Sequence, residues 1–113
     1  MSIAPRRVAA GLFAMSILAL SMPDIATAAD RRVRIINASN VTLSRFFASN
    51  AGRRTWEEDI LGNSVLPAGH SVTINIDDGS GACMFDFKAV LSNGRTIESY
   101  GMNVCQITSW TVR

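Results

Sequence analysis

Residues 82 to 105, ACMFDFKAVLSNGRTIESYGMNVC, decide the fold. From Cys83 onward apolar side chains alternate with a mixed set, which is the period-two pattern of a β-strand with one buried face. Asn93-Gly94 interrupts this alternation, and the dipeptide is the strongest short signal for a hairpin turn because both residues tolerate a positive φ. The stretch therefore predicts a β-hairpin. A two-residue loop would pair Ser92 with Arg95 and set Cys83 opposite Val104, whereas a three-residue loop would set Cys83 opposite Cys105.

The two cysteines, Cys83 and Cys105, are the only ones in the chain. Either hairpin register brings their sulfur atoms near bonding distance, so we predict a disulfide between them. By the chain-entropy relation such a bridge contributes roughly 3 kcal/mol to stability. Two reduced, buried cysteines are the alternative, but the N-terminal segment indicates an oxidising compartment.

The first 28 residues show the three zones of a secretory signal peptide. Arg6 and Arg7 precede an apolar run from residue 8 to 22, and Ala26-Thr27-Ala28 is a small-x-small cleavage box. We expect cleavage after Ala28, which leaves residues 29–113 as a single domain. A membrane anchor is the alternative interpretation, but the apolar run is shorter than the ~20 residues needed to span a bilayer.

Removal of this segment changes the bulk properties of the chain. About 85 residues remain, and the formal net charge falls from +2 to about +1. A charge so close to zero gives no indication of a nucleic-acid partner. A domain of this size buries only a modest fraction of its surface, so a disulfide is a reasonable supplement to its core. We expect a periplasmic or secreted protein with no transmembrane segment after cleavage.

The rest of the mature chain consists of short strand patterns separated by turns. Residues 32–36 and 41–48 are predicted to form an N-terminal hairpin, with Phe47 on the inner face and Phe46 at a bulge. Further strands are expected at residues 71–76 and 108–112. The fold class is therefore all-β, a small antiparallel β-sandwich of about six strands.

The connection between residues 49 and 70 is long for so small a domain. We predict one short helical turn near 55–61, with Thr55 as its N-cap and Trp56 facing the core. Arg53 and Arg54 stand beside Trp56, and arginine with tryptophan is enriched at binding hot spots. These three residues are our candidate binding surface. We expect Trp56 to be mainly a core residue and the two arginines to be the exposed part of any site.

Other charged groups suggest two further interactions. A basic patch of Arg31, Arg32, Arg34 and Arg45 on the N-terminal hairpin could contact anionic lipid or polysaccharide, or could simply protect a sheet edge from aggregation. Asp77, Asp78 and Asp86 are candidate calcium ligands, because calcium prefers several oxygen ligands. The spacing is not that of an EF-hand, and the alternative is a solvated turn in which aspartate and glycine serve the backbone geometry.

No catalytic constellation is visible in the sequence. His70 is the only histidine, and no serine lies in a nucleophile motif. The predicted disulfide removes both thiols from nucleophilic or zinc chemistry, and no glycine-rich phosphate loop is present. We therefore expect a protein that is not an enzyme and that uses no cofactor, with calcium as the one exception considered.

Three motifs carry a resemblance to known proteins. They are W-x-x-D-x-L-G at residues 56–62, L-P-x-G-x-S-V at 66–72 and I-D-D-G-x-G-x-C-x-F-D at 76–86. In this order they resemble a group of short exported bacterial proteins of unknown function. The resemblance implies an exported bacterial domain and carries no catalytic residue and no mechanism.

These observations lead to three hypotheses about function. The first is a non-catalytic binding or structural module of the bacterial envelope, whose partner is an unknown protein or envelope component. The second is a calcium-stabilised structural module. The third is a small hydrolase or an inhibitor of one.

Overall fold

The computed structural model describes residues 30–113. The predicted signal peptide, residues 1–28, and its cleavage site lie outside the described residues. The described residues form six strands: β1 (Arg32–Asn37), β2 (Leu43–Asn50), β3 (Ser71–Asn75), β4 (Met84–Leu91), β5 (Thr96–Asn103) and β6 (Ser109–Val112). Within this part of the chain, no helix has the length and apolar character needed to cross a membrane.

The six strands form two three-stranded sheets. Sheet I has the order β3-β1-β6 and sheet II has the order β2-β4-β5. Strand β1 runs antiparallel to β3 and parallel to β6, while both pairs of sheet II are antiparallel. The predicted all-β class and the β-sandwich architecture are confirmed.

The core lies between the two sheets. Alternation along β4 points Phe85, Phe87 and other apolar side chains inward, where they are buried. Trp110 of sheet I reaches across to sheet II, with its ring centroid 5.8 Å from that of Phe46 and 5.2 Å from that of Phe87. Each of these buried side chains contributes roughly 1.5–3 kcal/mol by leaving water. Burial of this aromatic cluster holds the sheets face to face.

The predicted hairpin of β1 and β2 is wrong, because the two strands belong to different sheets. The connection between them is held by Asn37, whose side chain is fully buried. Its Nδ2 donates hydrogen bonds to the carbonyls of Val41 and Leu66, each at 2.9 Å. Its Oδ1 accepts from the Ser39 backbone N–H at 3.1 Å and from the Ser39 hydroxyl at 2.6 Å. These bonds turn the chain out of sheet I instead of folding it back beside β1.

The two phenylalanines of β2 face opposite to the prediction. The pairing of β2 with β4 shifts between Leu43 and Arg45, which is a β-bulge. Because an extra residue reverses the alternation of side chains, Phe46 is buried in the core and Phe47 is half-buried on the opposite face. A bulge is present, but it precedes Phe46.

The hairpin of β4 and β5 adopts neither predicted register at its turn, because Val90 pairs with Thr96 and Ser92 lies in the loop. Its loop is residues 92–94, and Leu91 donates its N–H to the carbonyl of Arg95 at 2.8 Å. The pairing shifts between Phe85 and Phe87, so Cys83 lies opposite Val104 and accepts its N–H at 2.8 Å. The predicted disulfide is confirmed: Cys83 and Cys105 are bonded, with their Cα atoms 5.3 Å apart.

The predicted helical turn near 55–61 is wrong, since the described residues contain no helix there and only a hydrogen-bonded turn at residues 60–63. The backbone is instead bonded to the neighbouring strand. Ile60 donates its N–H to the carbonyl of Phe46 at 2.7 Å. Asp59 accepts from the N–H groups of Phe46 and Leu61 at 3.0 and 3.1 Å. An aspartate that bonds nearby backbone in this way competes with helix formation.

Candidate functional site

The candidate site lies on the outer face of sheet II, the side that points away from the core. Side chains alternate along β4, so Asp86 and Lys88 project from this face while their neighbours are buried. Lys88 pairs with Phe47 on β2 and with Glu98 on β5. The outer face therefore combines charged and aromatic groups from all three strands.

Residues 51–59 cross this outer face as a loop that is held on both sides of Trp56. Just before Trp56, the hydroxyl of Ser49, which is buried, donates to the carbonyl of Thr55 at 2.8 Å. After Trp56, Asp59 bonds the backbone of β2, as described above. Because the loop is held on both sides, Trp56 is positioned over the sheet.

Trp56 lies between two other aromatic side chains. Its ring centroid is 6.5 Å from that of Phe47 and 6.3 Å from that of Tyr100. The ammonium group of Lys88 lies 5.5 Å from the Phe47 centroid and 5.6 Å from the Trp56 centroid, distances that allow cation–π attraction to both rings. We call Phe47, Trp56 and Tyr100 the aromatic row.

The expectation that Trp56 is mainly a core residue is wrong. Its side chain is half-buried and does not belong to the hydrophobic core cluster. The physical reason is the chain path: the loop passes over the outer face of sheet II, whereas the core lies on its inner face. Trp110, by contrast, fills the core.

A pocket of about 190 Å³ opens beside the aromatic row. Its lining includes all three residues of the predicted binding surface, Arg53, Arg54 and Trp56, together with Asp86 and Tyr100. The structure therefore brings the predicted residues together around one concave site. That they bind a partner stays a prediction.

The two arginines differ in their electrostatic surroundings. Arg53 forms an ion pair with Glu57, four residues further along the loop. Arg54 is exposed, and its guanidinium makes no hydrogen bond or ion pair with any residue between 30 and 113. The Arg54 guanidinium is thus available for direct bonds to a ligand, beside the carboxylate of Asp86 in the same pocket lining.

A bulge in β5 presents Tyr100 to the pocket. Tyr100 and Gly101 together lie opposite Asp86, and Gly101 has a φ of 66°, a conformation that side chains other than glycine rarely adopt. One oxygen of Asp86, Oδ1, accepts the Gly101 N–H at 2.9 Å and so stabilises the bulge. The Tyr100 side chain is 64% exposed.

The hydroxyl of Tyr100 donates a hydrogen bond to Glu98. This bond raises the pKa of Tyr100 above its ordinary value, with smaller contributions from desolvation and from the negative charges of Glu98 and Asp86. The phenol therefore keeps its proton at neutral pH, and Tyr100 acts as a polar aromatic side chain and not as an anion.

The candidate calcium ligands do not form one group. Asp77 accepts the Gly79 N–H at 2.9 Å, and Asp78 accepts the Ser80 N–H at 3.0 Å, so both carboxylates serve their own turn. The hydrogen bonds from Ser80 lower the pKa of Asp78, with a minor contribution from a neighbouring arginine. Asp86 serves the bulge instead. In residues 30–113 no three acidic, histidine or cysteine side chains are grouped as a metal ion requires, and the calcium hypothesis stays a prediction.

The predicted basic patch is divided, because β1 and β2 lie in different sheets. Arg32 forms an ion pair with Asp30 at 3.0 Å, and Arg34 donates to the Ser71 hydroxyl at 3.0 Å. Arg31 donates from its guanidinium to the carbonyls of residues 81 and 82, both at 2.9 Å. Arg45 is exposed on the outer face of sheet II.

Sequence reasoning did not assign Phe47, Lys88 and Tyr100 to the site. The alternation along β4 was sufficient to place Lys88 on the outer face. The positions of Phe47 and Tyr100 on the outer face each depend on a β-bulge. The sequence indicates only the second bulge, through Gly101.

The comparisons with known proteins give no relative: no protein-family model matches the chain, and neither a curated protein nor a solved structure matches it. The site is therefore interpreted from its own geometry.

Proposed function

We propose that this protein is a small exported, non-catalytic binding module of the bacterial envelope, and that the pocket beside the aromatic row is its binding site. The observation that carries the proposal is the position of Trp56. A tryptophan ring half-exposed over the outer face of a sheet contributes less to the core than Trp110 does. Tryptophan, tyrosine and arginine in one concave site are the residues enriched at binding hot spots.

Two further observations support the proposal. The disulfide between Cys83 and Cys105 fits an oxidising, extracellular type of environment, in agreement with the signal peptide expected from the sequence. The pocket presents the two aromatic rings of Trp56 and Tyr100 beside charged and hydroxyl side chains, which offers a ligand both ring contacts and hydrogen bonds. The partner we propose is an envelope component, either a protein or a polymer.

The test is retention of native envelope material on the immobilised mature protein. We expect the Arg53→Ala and Arg54→Ala double variant to fold normally and to lose material that the wild type retains. Arg45→Ala is the matched control, since it removes an exposed arginine from the same face outside the pocket lining. A folded double variant that retains the same material as the wild type would end the proposal and leave the loop as a structural cover.

A further inference from the structure

We propose that the ligand of this pocket is an acidic sugar, bound with its ring against Trp56 and its carboxylate on Arg54. This inference rests on the proposed function, because it assigns a ligand class to the same site. Three properties of the pocket carry it: a guanidinium without an ion-pair partner, a bent aromatic surface and a carboxylate oxygen open to a donor.

The available guanidinium of Arg54 favours an anionic group on the ligand. Glu57 compensates Arg53, whereas Arg54 has no partner among residues 30–113. A guanidinium binds a carboxylate through two parallel N–H···O bonds, which are stronger than bonds between neutral groups. A ligand carboxylate would supply the negative charge that Arg54 lacks.

The aromatic rings favour a compact ring as the body of the ligand. The planes of Trp56 and Tyr100 are inclined by 39°, so the two rings form a shallow angle and not a slot between parallel faces. Aromatic faces are electron-rich and attract the slightly positive C–H groups of a sugar ring. The pocket volume of about 190 Å³ is small beside the roughly 300–1,000 Å³ of drug-sized sites. It therefore suits one sugar unit, with the rest of a chain outside.

Asp86 favours a ligand with hydroxyl groups. Only its Oδ1 is engaged by the Gly101 N–H, and no hydrogen bond to Oδ2 is formed by the part of the chain that the structure describes. An ionised carboxylate only accepts hydrogen bonds. A hydroxyl that donates to Oδ2, next to a carboxylate that accepts from Arg54, is the combination an acidic sugar offers.

The site is also largely formed before a ligand arrives. The Ser49–Thr55 bond holds the loop, and the Asp86–Gly101 bond holds the bulge that carries Tyr100. Little ordering is therefore required on binding, which favours affinity for a small ligand.

The experiment is a titration of the isotopically labelled mature protein, followed by NMR. The probes are glucuronic acid, galacturonic acid and N-acetylmuramic acid, each compared with its neutral counterpart: glucose, galactose or N-acetylglucosamine. The chain contains two tryptophans, so the indole N–H of Trp56 reports the site and that of buried Trp110 is an internal control. We expect at least one acid to shift the Trp56 signal in a saturable way while the Trp110 signal stays in place.

Arg54→Gln tests the carboxylate contact, and Arg45→Gln is its control. We expect Arg54→Gln to weaken binding of the acid by about tenfold or more, the usual effect of removing a charged hydrogen bond, with no comparable change for the neutral sugar. Arg45→Gln should leave both unchanged. The preference for the acid should also decrease as salt is added, because the pocket is open to solvent.

The outcomes separate this inference from the proposed function. If no acidic sugar shifts the Trp56 signal, or if each acid binds no better than its neutral counterpart, the acidic-sugar assignment is wrong. If Arg45→Gln weakens binding of the acid as much as Arg54→Gln does, the effect is one of general surface charge. That result would also overturn the acidic-sugar assignment. In each of these cases arginine-dependent retention of envelope material would still support a binding module with another ligand. If no acidic sugar binds and retention of envelope material does not depend on the two arginines, both proposals are rejected.

Discussion

Replacement of Asn37 by aspartate should strongly destabilise the domain, although the two side chains have nearly the same volume. The change removes the two N–H bonds to the Val41 and Leu66 carbonyls and costs roughly 1–3 kcal/mol for the two bonds together. It also sets a buried carboxylate against two backbone oxygens, which raises the pKa of the new group, at about 1.4 kcal/mol for each unit. We therefore expect the free energy of unfolding to fall by at least about 3 kcal/mol at neutral pH, a large share of the 5–15 kcal/mol typical of a domain.

The sign of the pH dependence makes this prediction specific. Because the pKa of the new carboxyl is raised in the folded state, the folded protein binds the proton more tightly than the unfolded chain does. The loss caused by Asn37→Asp should therefore be smallest below about pH 4, the unfolded pKa of aspartate, and should grow as the pH rises through the folded pKa. The loss in free energy of unfolding is measured against the wild type by urea unfolding at acidic and at neutral pH, followed by tryptophan fluorescence.

Asn93→Asp is the control for this experiment. Asn93 is exposed in the hairpin loop and its Oδ1 accepts the Arg95 N–H at 3.0 Å, a bond that a carboxylate also accepts. The free energy of unfolding of Asn93→Asp should stay within about 0.5 kcal/mol of the wild-type value. If Asn37→Asp is as stable as the wild type at neutral pH, the buried amide does not have the stabilising role assigned to it. The same conclusion follows if Asn37→Asp and Asn93→Asp lose equal amounts of stability.

Four other predictions concern the disulfide, the aromatic row and calcium. Replacing both Cys83 and Cys105 by serine should lower the free energy of unfolding by about 3 kcal/mol, and intact mass after alkylation of the native exported protein should reveal no free thiol. Trp56→Ala should fold, with a loss in urea unfolding smaller than the 3–5 kcal/mol of a buried aromatic; a loss in that range would return Trp56 to the core. The single tyrosine, Tyr100, should titrate spectrophotometrically above about 10, and Glu98→Gln should lower that midpoint; an unchanged midpoint would contradict the Tyr100–Glu98 bond. The raised pKa stabilises the folded state below the unfolded value of Tyr100, and this contribution is lost as the pH rises through the folded value. Thermal unfolding should give the same Tm with calcium and with a chelator, and a higher Tm with calcium would support the calcium-stabilised module.

Much of the fold could be predicted because its signals are local. The alternation along β4 and the Asn93-Gly94 turn identify the disulfide hairpin, and both lie within one short stretch of the chain. The partners of β1 could not be predicted in the same way. Arg34 pairs with Ser109 and Val33 with Ile74, and no local pattern records which distant strand a residue meets. The N-terminal hairpin was the simpler local solution, and the buried amide of Asn37 prevents it.

The candidate site could be predicted only in part. Arg53, Arg54 and Trp56 are close in sequence, so their residue types alone identify them as a candidate binding surface. Phe47 and Tyr100 reach the same surface from the two edge strands of sheet II, and each depends on a bulge that changes the alternation of its strand. A single extra residue decides which face a side chain occupies, and the sequence offers little to locate it.

The parallel pairing of β1 with β6 determines when sheet I can be completed as the domain folds. Strand β1 precedes both of the strands that flank it, and β6 follows the whole disulfide hairpin. Until β6 is in place, one edge of β1 has no partner strand. Pairings between residues so distant in the chain form slowly, so we expect the hairpin of sheet II to form first and β6 to close the domain last. The folding rate of this protein should therefore depend more on the pairing of its last strand with β1 than on the strength of its first turn.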